Sequence, residues 1–300
     1  MQNNNNNNNK NKNNRTQVSL REQLEDRNKI IVLPGVFDAL SAKIAERVGF
    51  DAIFQTGYGS SAALLGMPDF GLLNSGETVG NAMRIIRAVG VPVLVDADTG
   101  YGNPLNVWRL VRDLESLGAA GIFLEDQVWP KRCGHMVGKD VIPKDEYIPK
   151  LKAALEARRS KDFIIVARTD ARAPIGLEEA IERGKAYRKA GADVIFVEAP
   201  RSVEELKRVA NEIDAPLVAN MIEDGVTPNL SASELLKLGY HMAVFPLSAI
   251  YSATFAMRQV LTELRNTGTT KAARNIMVTF KDFNELMNLD QFMDLERRYA

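Results

Sequence analysis

The sequence of 300 residues has very little cysteine and histidine, with one of the first and two of the second. A single cysteine cannot form an internal disulfide, which favours a reducing compartment. So few histidines argue against a zinc site, because His and Cys are the usual zinc ligands. A metal bound by this chain is therefore expected to have oxygen ligands.

The chain also lacks an excess of charge of either sign, since Lys and Arg number 38 and Asp and Glu number 38. This balance removes the basic surface expected of a nucleic-acid-binding protein. No apolar run is long enough to span a membrane, and no signal-peptide core is present. We predict a cytoplasmic protein with no nucleic-acid or membrane partner. Lys10, Lys12 and Arg15 precede any acidic residue, which leaves the mitochondrial matrix as an alternative.

Asparagine dominates the start of the chain, with an unbroken run at residues 3–9. Such a segment has nothing to bury, so residues 1–17 are predicted to form a disordered tail. From residue 18 the composition is that of a globular domain with ample core material. We therefore predict one domain over residues 18–300, ending in a helical arm from about residue 265.

Short, almost continuous apolar runs alternate with longer amphipathic stretches throughout this domain. Continuous apolar runs predict strands buried on both faces, as in a parallel sheet. Eight such strands separated by helices predict a (β/α)₈ TIM barrel, with a doubly wound open sheet as the alternative. The runs lie at 30–35, 52–57, 92–98, 121–126, 163–169, 194–199, 216–221 and 242–247.

Polar residues end most of these predicted strands. In a barrel of this type the carboxyl ends of the strands meet at one mouth, where the chemistry takes place. Acids on three strands, an arginine and an amide would therefore converge there. The functional candidates are Asp96, Asp98, Glu125, Arg168, Glu198 and Asn220. His241, at the start of the eighth strand, lies at the opposite end and is interpreted as structural.

Asp96 and Asp98 are two residues apart, which would place both on the same face of a strand. Together with Glu125 from the next strand they would bring three carboxylates close to each other. Such a cluster needs a cation to stay ionised. Oxygen ligands favour Mg²⁺, with Mn²⁺ as an alternative.

The segment WPKRCGHMVGK at 129–139 holds the only cysteine and directly follows the fourth predicted strand. The neighbouring Lys131, Arg132 and His135 are expected to lower the pKa of the Cys133 thiol, whereas a bound anionic substrate would oppose them. On a mobile loop, Cys133 could donate a proton when the loop closes. A nucleophilic role stays open.

Several motifs together resemble the isocitrate lyase and phosphoenolpyruvate mutase superfamily. They are KRCGH after LEDQ, GVFDALSA, TGYGSSAALLGMPD, VDADTGYGNPLNV, VARTDA, FVEAP and ANMIE. The resemblance runs from about Leu20 to the C-terminus. It is strongest to the lyases that cleave 2-alkylmalates, such as petal death protein and 2,3-dimethylmalate lyases, with 2-methylisocitrate lyases nearby.

This resemblance implies a barrel with a gating loop, a Mg²⁺ cofactor and a homotetramer in which C-terminal helices exchange between subunits. It implies metal ligands at Asp96 and Asp98, supported by Glu125 and Asp69. It implies Cys133 as the general acid, with Lys131 and His135 beside it in the catalytic loop. The implied substrate-binding residues are Thr56, Gly57, Tyr58, Gly134, Arg168, Glu198 and Asn220.

The implied activity is carbon–carbon cleavage of a 2-hydroxy di- or tricarboxylate to pyruvate, or another 2-oxo acid, and a carboxylic acid. In 2-methylisocitrate lyases arginines grip a third carboxylate, whereas Tyr251 and Phe283 match those positions here. A buried carboxylate without a cation is costly, so we expect a 2-alkylmalate rather than a tricarboxylate.

Three alternatives remain at this point. A phosphonomutase acting on phosphoenolpyruvate or carboxyphosphonoenolpyruvate would share the barrel, although phosphoenolpyruvate mutases resemble K-x-N-S at the loop and have no thiol there. A hydrolase or decarboxylase of oxaloacetate would use the same metal and pocket. A non-catalytic barrel that serves as a binding module is the alternative of another class.

Overall fold

The computed structural model describes residues 18–136 and 138–300, so the predicted tail at 1–17 lies outside the described residues. Eight parallel strands form a closed barrel in chain order. The predicted TIM barrel is confirmed, and the open-sheet alternative is wrong. The strands are β1 Ile31–Val36, β2 Ile53–Gln55, β3 Val93–Asp96, β4 Gly121–Glu125, β5 Ile164–Thr169, β6 Val194–Val197, β7 Leu217–Asn220 and β8 Met242–Phe245.

Helices surround this barrel, and local signals in the sequence set their ends. Asp38 and Asn74 begin two of them by accepting hydrogen bonds from backbone N–H groups of the first turn. Gly49 and Gly191 end helices in the left-handed conformation. The helices around the strands are α1 Leu20–Glu25, α2 Ala39–Val48, α3 Gly57–Leu65, α4 Ser75–Ala88, α5 Pro104–Ser116, α6 Lys144–Ala157, α7 Leu177–Ala190, α8 Val203–Glu212 and α9 Ala232–Leu238.

Aromatic side chains fill the inside of the barrel beneath its mouth. Phe54 and Phe123 lie with ring centroids 4.7 Å apart, and Phe123 and Phe196 lie 5.8 Å apart. All three rings are buried, and they come from β2, β4 and β6. Tilted aromatic pairs of this kind pack densely, so the barrel interior is filled rather than open. The three rings form an apolar floor for whatever binds above them.

Helix α10 Ser248–Thr267 follows β8, and the C-terminal arm predicted from about residue 265 consists of a 3₁₀ helix Lys271–Ile276, α11 Phe280–Leu286 and α12 Leu289–Tyr299. All residues of α10, α11 and α12 are described, and none of their side chains is buried. Phe255, Phe280 and Phe292 are more than half exposed. Within one chain α11 contacts α2, and α12 contacts α11. None of the described helices is long and apolar enough to cross a membrane.

The barrel closes where β1 meets β8, and a glycine makes that approach possible. Pro34 pairs with Phe245 across this seam. A Cβ atom at Gly35 would lie 2.2 Å from the carbonyl oxygen of Pro246 and 2.5 Å from its Cα. These are backbone atoms, which cannot move without opening the seam.

Gly35→Ala is therefore expected to lower the free energy of unfolding by about 1–3 kcal/mol, as overpacking does. Urea unfolding measures the change. Gly80→Ala is the control, because Gly80 lies inside α4 and an added Cβ atom would lie 3.5 Å from Arg84 Nη1. This substitution should raise the free energy of unfolding by about 0.5–1 kcal/mol. Equal effects of the two substitutions would contradict the close approach at the seam.

Candidate active site

A cavity opens at the carboxyl ends of the strands, directly above the phenylalanine floor. Its volume is about 480 Å³ including the open mouth. Ten residues singled out in the sequence line it: Thr56, Tyr58, Asp69, Asp96, Lys131, Cys133, Gly134, Arg168, Glu198 and Asn220. The other four, Gly57, Asp98, Glu125 and His135, contact these residues through hydrogen bonds or ion pairs.

Asp96 and Asp98 lie close together, but not for the reason predicted from strand alternation. Strand β3 ends at Asp96, and Asp98 follows in a turn with a left-handed φ of 45°. The backbone N–H of Asp98 donates to Asp96 Oδ1 at 3.2 Å. The N–H of Gly57 donates to Asp96 Oδ2 at 3.1 Å. The turn, rather than the strand, brings the two carboxylates together.

A lysine ammonium lies among these acids. Lys131 Nζ is 2.6 Å from Asp69 Oδ1 and 2.7 Å from Asp98 Oδ1, and all three side chains are almost completely buried. Glu125 turns instead towards Arg168, with Oε2 3.3 Å from Nε. Among the described residues, no three His, Cys, Asp or Glu side chains form a ready-made metal site. Lys131 and Arg168 therefore each engage one of the three acids, and the binding of a metal by Asp96, Asp98 and Glu125 stays a prediction.

The acids nevertheless keep the character of a cation site. Burial, together with the charges of Asp96 and Asp69, raises the pKa of Asp98 to about 6 against the opposing effect of Lys131. Burial likewise raises the pKa of Glu125 well above its usual range. Glu125 Oε1 is buried and has no hydrogen-bond partner among the described residues. Buried oxygen donors with unbalanced negative charge fit a hard divalent cation such as Mg²⁺.

Arg168 leaves the end of β5 and is held by Asp170. Its Nε lies 2.8 Å from Asp170 Oδ2, and its Nη2 lies 3.0 Å from Oδ1. Burial opposes ionisation of Asp170, but Arg168 and Lys139 hold its pKa well below the usual range. This two-point grip fixes the guanidinium plane in the cavity wall, which suits recognition of a carboxylate.

Glu198, Asn220 and His135 form a second polar group opposite. Asn220 Nδ2 donates to both oxygens of Glu198, at 3.2 and 3.3 Å. His135 Nε2 is 3.2 Å from Glu198 Oε1, and His135 Nδ1 accepts from the Val226 N–H at 3.0 Å. Because Nδ1 accepts a hydrogen bond, the neutral ring carries its proton on Nε2. His135 therefore joins the loop after β4 to the loop after β7.

Cys133 is half-buried, and its thiol differs from the prediction. Burial, aided by Asp69 and Glu198, raises its pKa to about 11, although the backbone N–H of His135 and the charge of Arg168 act in the other direction. The expected lowering by neighbouring cations is wrong, because Lys131 pairs with two carboxylates and the His135 ring faces Glu198. The Arg132 guanidinium lies over the Phe70 ring. A thiol that stays protonated suits a proton donor better than a nucleophile.

The first turn of α3 and one residue of α10 complete the rim. Thr56 precedes α3 and accepts from the Gly59 N–H at 3.4 Å. Tyr58 meets Tyr251 of α10 edge-on, with ring centroids 6.5 Å apart. Burial raises the pKa of Tyr251 to about 12. Phe283, the other position compared with the tricarboxylate enzymes, lies on α11 and is 40% exposed.

A family model described as phosphoenolpyruvate phosphomutase matches residues 20–265. The chain belongs to the phosphoenolpyruvate mutase and isocitrate lyase superfamily. It is 50% identical to 2,3-dimethylmalate lyase of Eubacterium barkeri over 95% of this chain and 98% of the relative. It is 48% identical to petal death protein of Dianthus caryophyllus, over 92% of this chain and 87% of the relative. A chloroplastic carboxyvinyl-carboxyphosphonate phosphorylmutase of Arabidopsis thaliana is 47% identical, over 95% and 85%.

Solved structures of the superfamily share the whole barrel with this chain. Oxaloacetate acetylhydrolase in complex with 3,3-difluorooxalacetate matches with a TM-score of 0.89 at 36% identity, covering 94% of this chain and 96% of that one. A crystal structure of 2,3-dimethylmalate lyase matches with a TM-score of 0.88 at 37% identity, covering 94% of each chain. Phosphonopyruvate hydrolase in complex with oxalate and Mg²⁺ matches with a TM-score of 0.84 at 28% identity, covering 94% of this chain and 98% of that one. The superfamily thus contains lyases, mutases and hydrolases on one fold.

Sequence reasoning missed several residues of the site. Lys139 and Asp170 are buried beside it, and only their places in the loop and at a strand end could have drawn attention to them. Ile222, Pro246 and Leu247 form apolar cavity wall. No sequence signal marks these three, because apolar residues at strand ends resemble ordinary core.

The raised pKa of Cys133 has a direct test, since the chain has no other cysteine. In the folded protein the rate of alkylation should keep rising with pH towards about 11, past the ordinary thiol value of 9.0. The chain unfolded in urea is the control, and its rate should level off near 9.0. A folded-state plateau at or below 9.0 would show that burial does not govern this thiol.

Proposed function

We propose that the chain is a Mg²⁺-dependent carbon–carbon lyase that cleaves 2-alkylmalate-type acids to pyruvate, or another 2-oxo acid, and a carboxylic acid. One observation carries this proposal: Cys133 lines the same cavity as Asp69 and Asp96, where burial raises the pKa of its thiol. Cleavage of a carbon–carbon bond leaves an electron pair on carbon, which needs a proton donor. The thiol supplies that donor within the loop that covers the cavity.

Asp96 and Asp98 are proposed to hold the ion, with Glu125 and Asp69 in support and Mn²⁺ as an alternative metal. When bound, the ion supplies Lewis-acid stabilisation to the oxygens of the 2-hydroxy acid. Lys131 already balances part of the charge of Asp69 and Asp98. The acids keep negative charge that one further cation would balance, and they need not move apart to bind it.

The remaining polar groups bind and orient the substrate. The first turn of α3, with Thr56, Gly57 and Tyr58, presents a helix N-terminus to a carboxylate. Arg168 and Asn220 face the second carboxylate. Its negative charge grows when the C2–C3 bond breaks, because the fragment that carries it becomes an enediolate. The 2-hydroxyl proton leaves to solvent at the open mouth as the C2–O bond becomes a carbonyl, and the Cys133 Sγ–H gives its proton to the carbon that receives the bonding electrons. The thiolate then regains a proton from solvent. The apolar wall of Ile222, Pro246 and Leu247 takes the alkyl group.

A dicarboxylate fits this cavity better than a tricarboxylate does. The cations lining it are Lys131 and Arg168, and both are already paired with acids. At the rim Tyr251 contacts Tyr58 edge-on, and on the resemblance a third carboxylate would need a cation at the position of Tyr251. A third carboxylate would therefore lack a cationic partner, which is unfavourable.

Oxaloacetate hydrolysis is the second candidate, because the acetylhydrolase structure superposes on the chain over nearly its whole length. That reaction would use the same acids and Arg168. It breaks a carbon–carbon bond by addition of water, and the carbon that keeps the bonding electrons would also need a proton donor. A mutase activity is supported by the Arabidopsis relative, but phosphoryl transfer gives no role to a protonated thiol.

For the assembly we propose a homotetramer in a reducing compartment, the cytoplasm or the mitochondrial matrix. The apolar side chains exposed on α10, α11 and α12 in one chain support contacts with other copies. Exchange of these helices between subunits would cover them. The single cysteine supports the choice of compartment.

The substrate class can be tested by comparing 2,3-dimethylmalate with 2-methylisocitrate in the presence of Mg²⁺. We expect kcat/KM to favour the alkylmalate by about 100-fold, which corresponds to a penalty of about 3 kcal/mol for the unpaired third carboxylate. Release of the 2-oxo acid measures both reactions, and a wider panel of 2-alkylmalates defines the alkyl group. A preference for the tricarboxylate would reverse the assignment.

Cys133→Ala tests the thiol as the proton donor, and alkylmalate cleavage should fall by about 10²–10⁴-fold in kcat, as expected for loss of a general acid. The wild type distinguishes the candidate activities, since a lyase should release 2-oxo acid from alkylmalates faster than it releases oxalate from oxaloacetate. As a control, Mg²⁺ with oxalate should raise the melting temperature of both the variant and the wild type. Absence of any such shift in the wild type would favour the non-catalytic barrel, and unchanged cleavage by the variant would contradict the role of the thiol.

A further inference from the structure

Lys139 is a buried lysine in the loop after β4 that the reaction described above does not use. Its side chain is 1% exposed, and its Nζ donates to Asp170 Oδ1 at 2.8 Å. Nζ also donates to the carbonyl oxygen of Gly134. A buried ammonium is costly unless it is well paired, so these contacts fix the conformation of the lysine.

The Gly134 carbonyl belongs to the residue directly after Cys133, so the lysine restrains the chain next to the thiol. This stretch fits closely against the opposite wall. A Cβ atom at Gly134 would lie 2.1 Å from Glu198 Oε1 and 2.4 Å from Arg168 Nη2. The backbone at the thiol therefore sits flush against the two groups that shape the cavity.

Asp170 is a rigid anchor for this contact. Its backbone N–H donates to Asp126 Oδ1 at 2.9 Å. Asp126 Oδ2 in turn accepts from Arg183 Nη1 at 2.9 Å and from Tyr187 Oη at 2.7 Å, both on α7. The carboxylate of Asp170 thus contacts both Lys139 and Arg168, and the position of Asp170 is fixed through Asp126 by two residues of α7.

We propose that Lys139 is a positioning residue that latches the Cys133–Gly134 segment to Asp170 and so keeps the thiol in the cavity beside Arg168. The latch itself follows from the contacts of Lys139, and only its importance for catalysis rests on the proposed lyase function. The Asp170 carboxylate then positions both the Cys133 thiol and the Arg168 guanidinium.

A purely electrostatic role for Lys139 predicts the opposite behaviour of the thiol. Removing a cation near a thiol disfavours the thiolate, which slows alkylation. Removing a latch lets the segment leave the cavity wall, which exposes the thiol and relieves its burial. The sign of the change in alkylation rate therefore distinguishes the two roles.

The test uses Lys139→Met in the full-length protein and measures iodoacetamide labelling of the single cysteine at constant pH. We expect labelling to become at least about tenfold faster. Lys152→Met, an exposed lysine on α6, is the matched control and should label like the wild type. Lys139→Arg retains a charge and donors and should restore much of the protection. An unchanged or slower rate in Lys139→Met would overturn the proposal.

Thermal unfolding checks that each variant is folded, and Lys139→Gln replaces Lys139→Met if the latter does not fold. With 2-alkylmalates, loss of the latch should reduce kcat much more than it raises KM, because the substrate carboxylates still meet Arg168 and α3. A change confined to KM would overturn the positioning role. If the wild type cleaves no alkylmalate, the lyase function fails, whereas the labelling result still decides on the latch.

Discussion

Charge balance at the mouth of the barrel is the constraint on which the rest of the site depends. Buried carboxylates outnumber the cations that reach them, and each cation is shared: Lys131 between Asp69 and Asp98, and Arg168 between Glu125 and Asp170. Burial raises the pKa of Asp98, the charges of Asp96 and Asp69 add to the shift, and Lys131 only partly offsets it. Burial likewise raises the pKa of Cys133, and Lys131 beside it is already paired with two acids.

The barrel could be predicted from the sequence because its signal is local. Each buried strand is a continuous apolar run, and each helix carries its own end signals, such as Asp38 before α2 and Gly191 after α7. The positions at the strand ends followed from the same pattern, which is why Arg168, Glu198 and Asn220 were found. The acids at the strand ends led to the predicted metal, and the motifs that resemble the superfamily led to the predicted reaction, which no periodicity could give.

What the sequence could not give depends on partners far apart in the chain. Lys131 pairs with Asp69, and Lys139 with Asp170, across 62 and 31 residues. The pKa of the Cys133 thiol was predicted with the wrong sign, because burial by distant segments and the charges of Asp69 and Glu198 raise it. Asp98 was placed by a left-handed turn that strand alternation does not describe. The roles of the site residues stay predictions until they are measured.

The protonated state of the Cys133 thiol has a consequence for the chemical durability of the protein. Peroxides attack the thiolate and convert it stepwise to sulfenic and then to higher oxygen acids. A thiol whose pKa lies at about 11 offers very little thiolate to such oxidants. The proposed general acid is therefore expected to react more slowly with peroxides than a cysteine whose pKa is lowered.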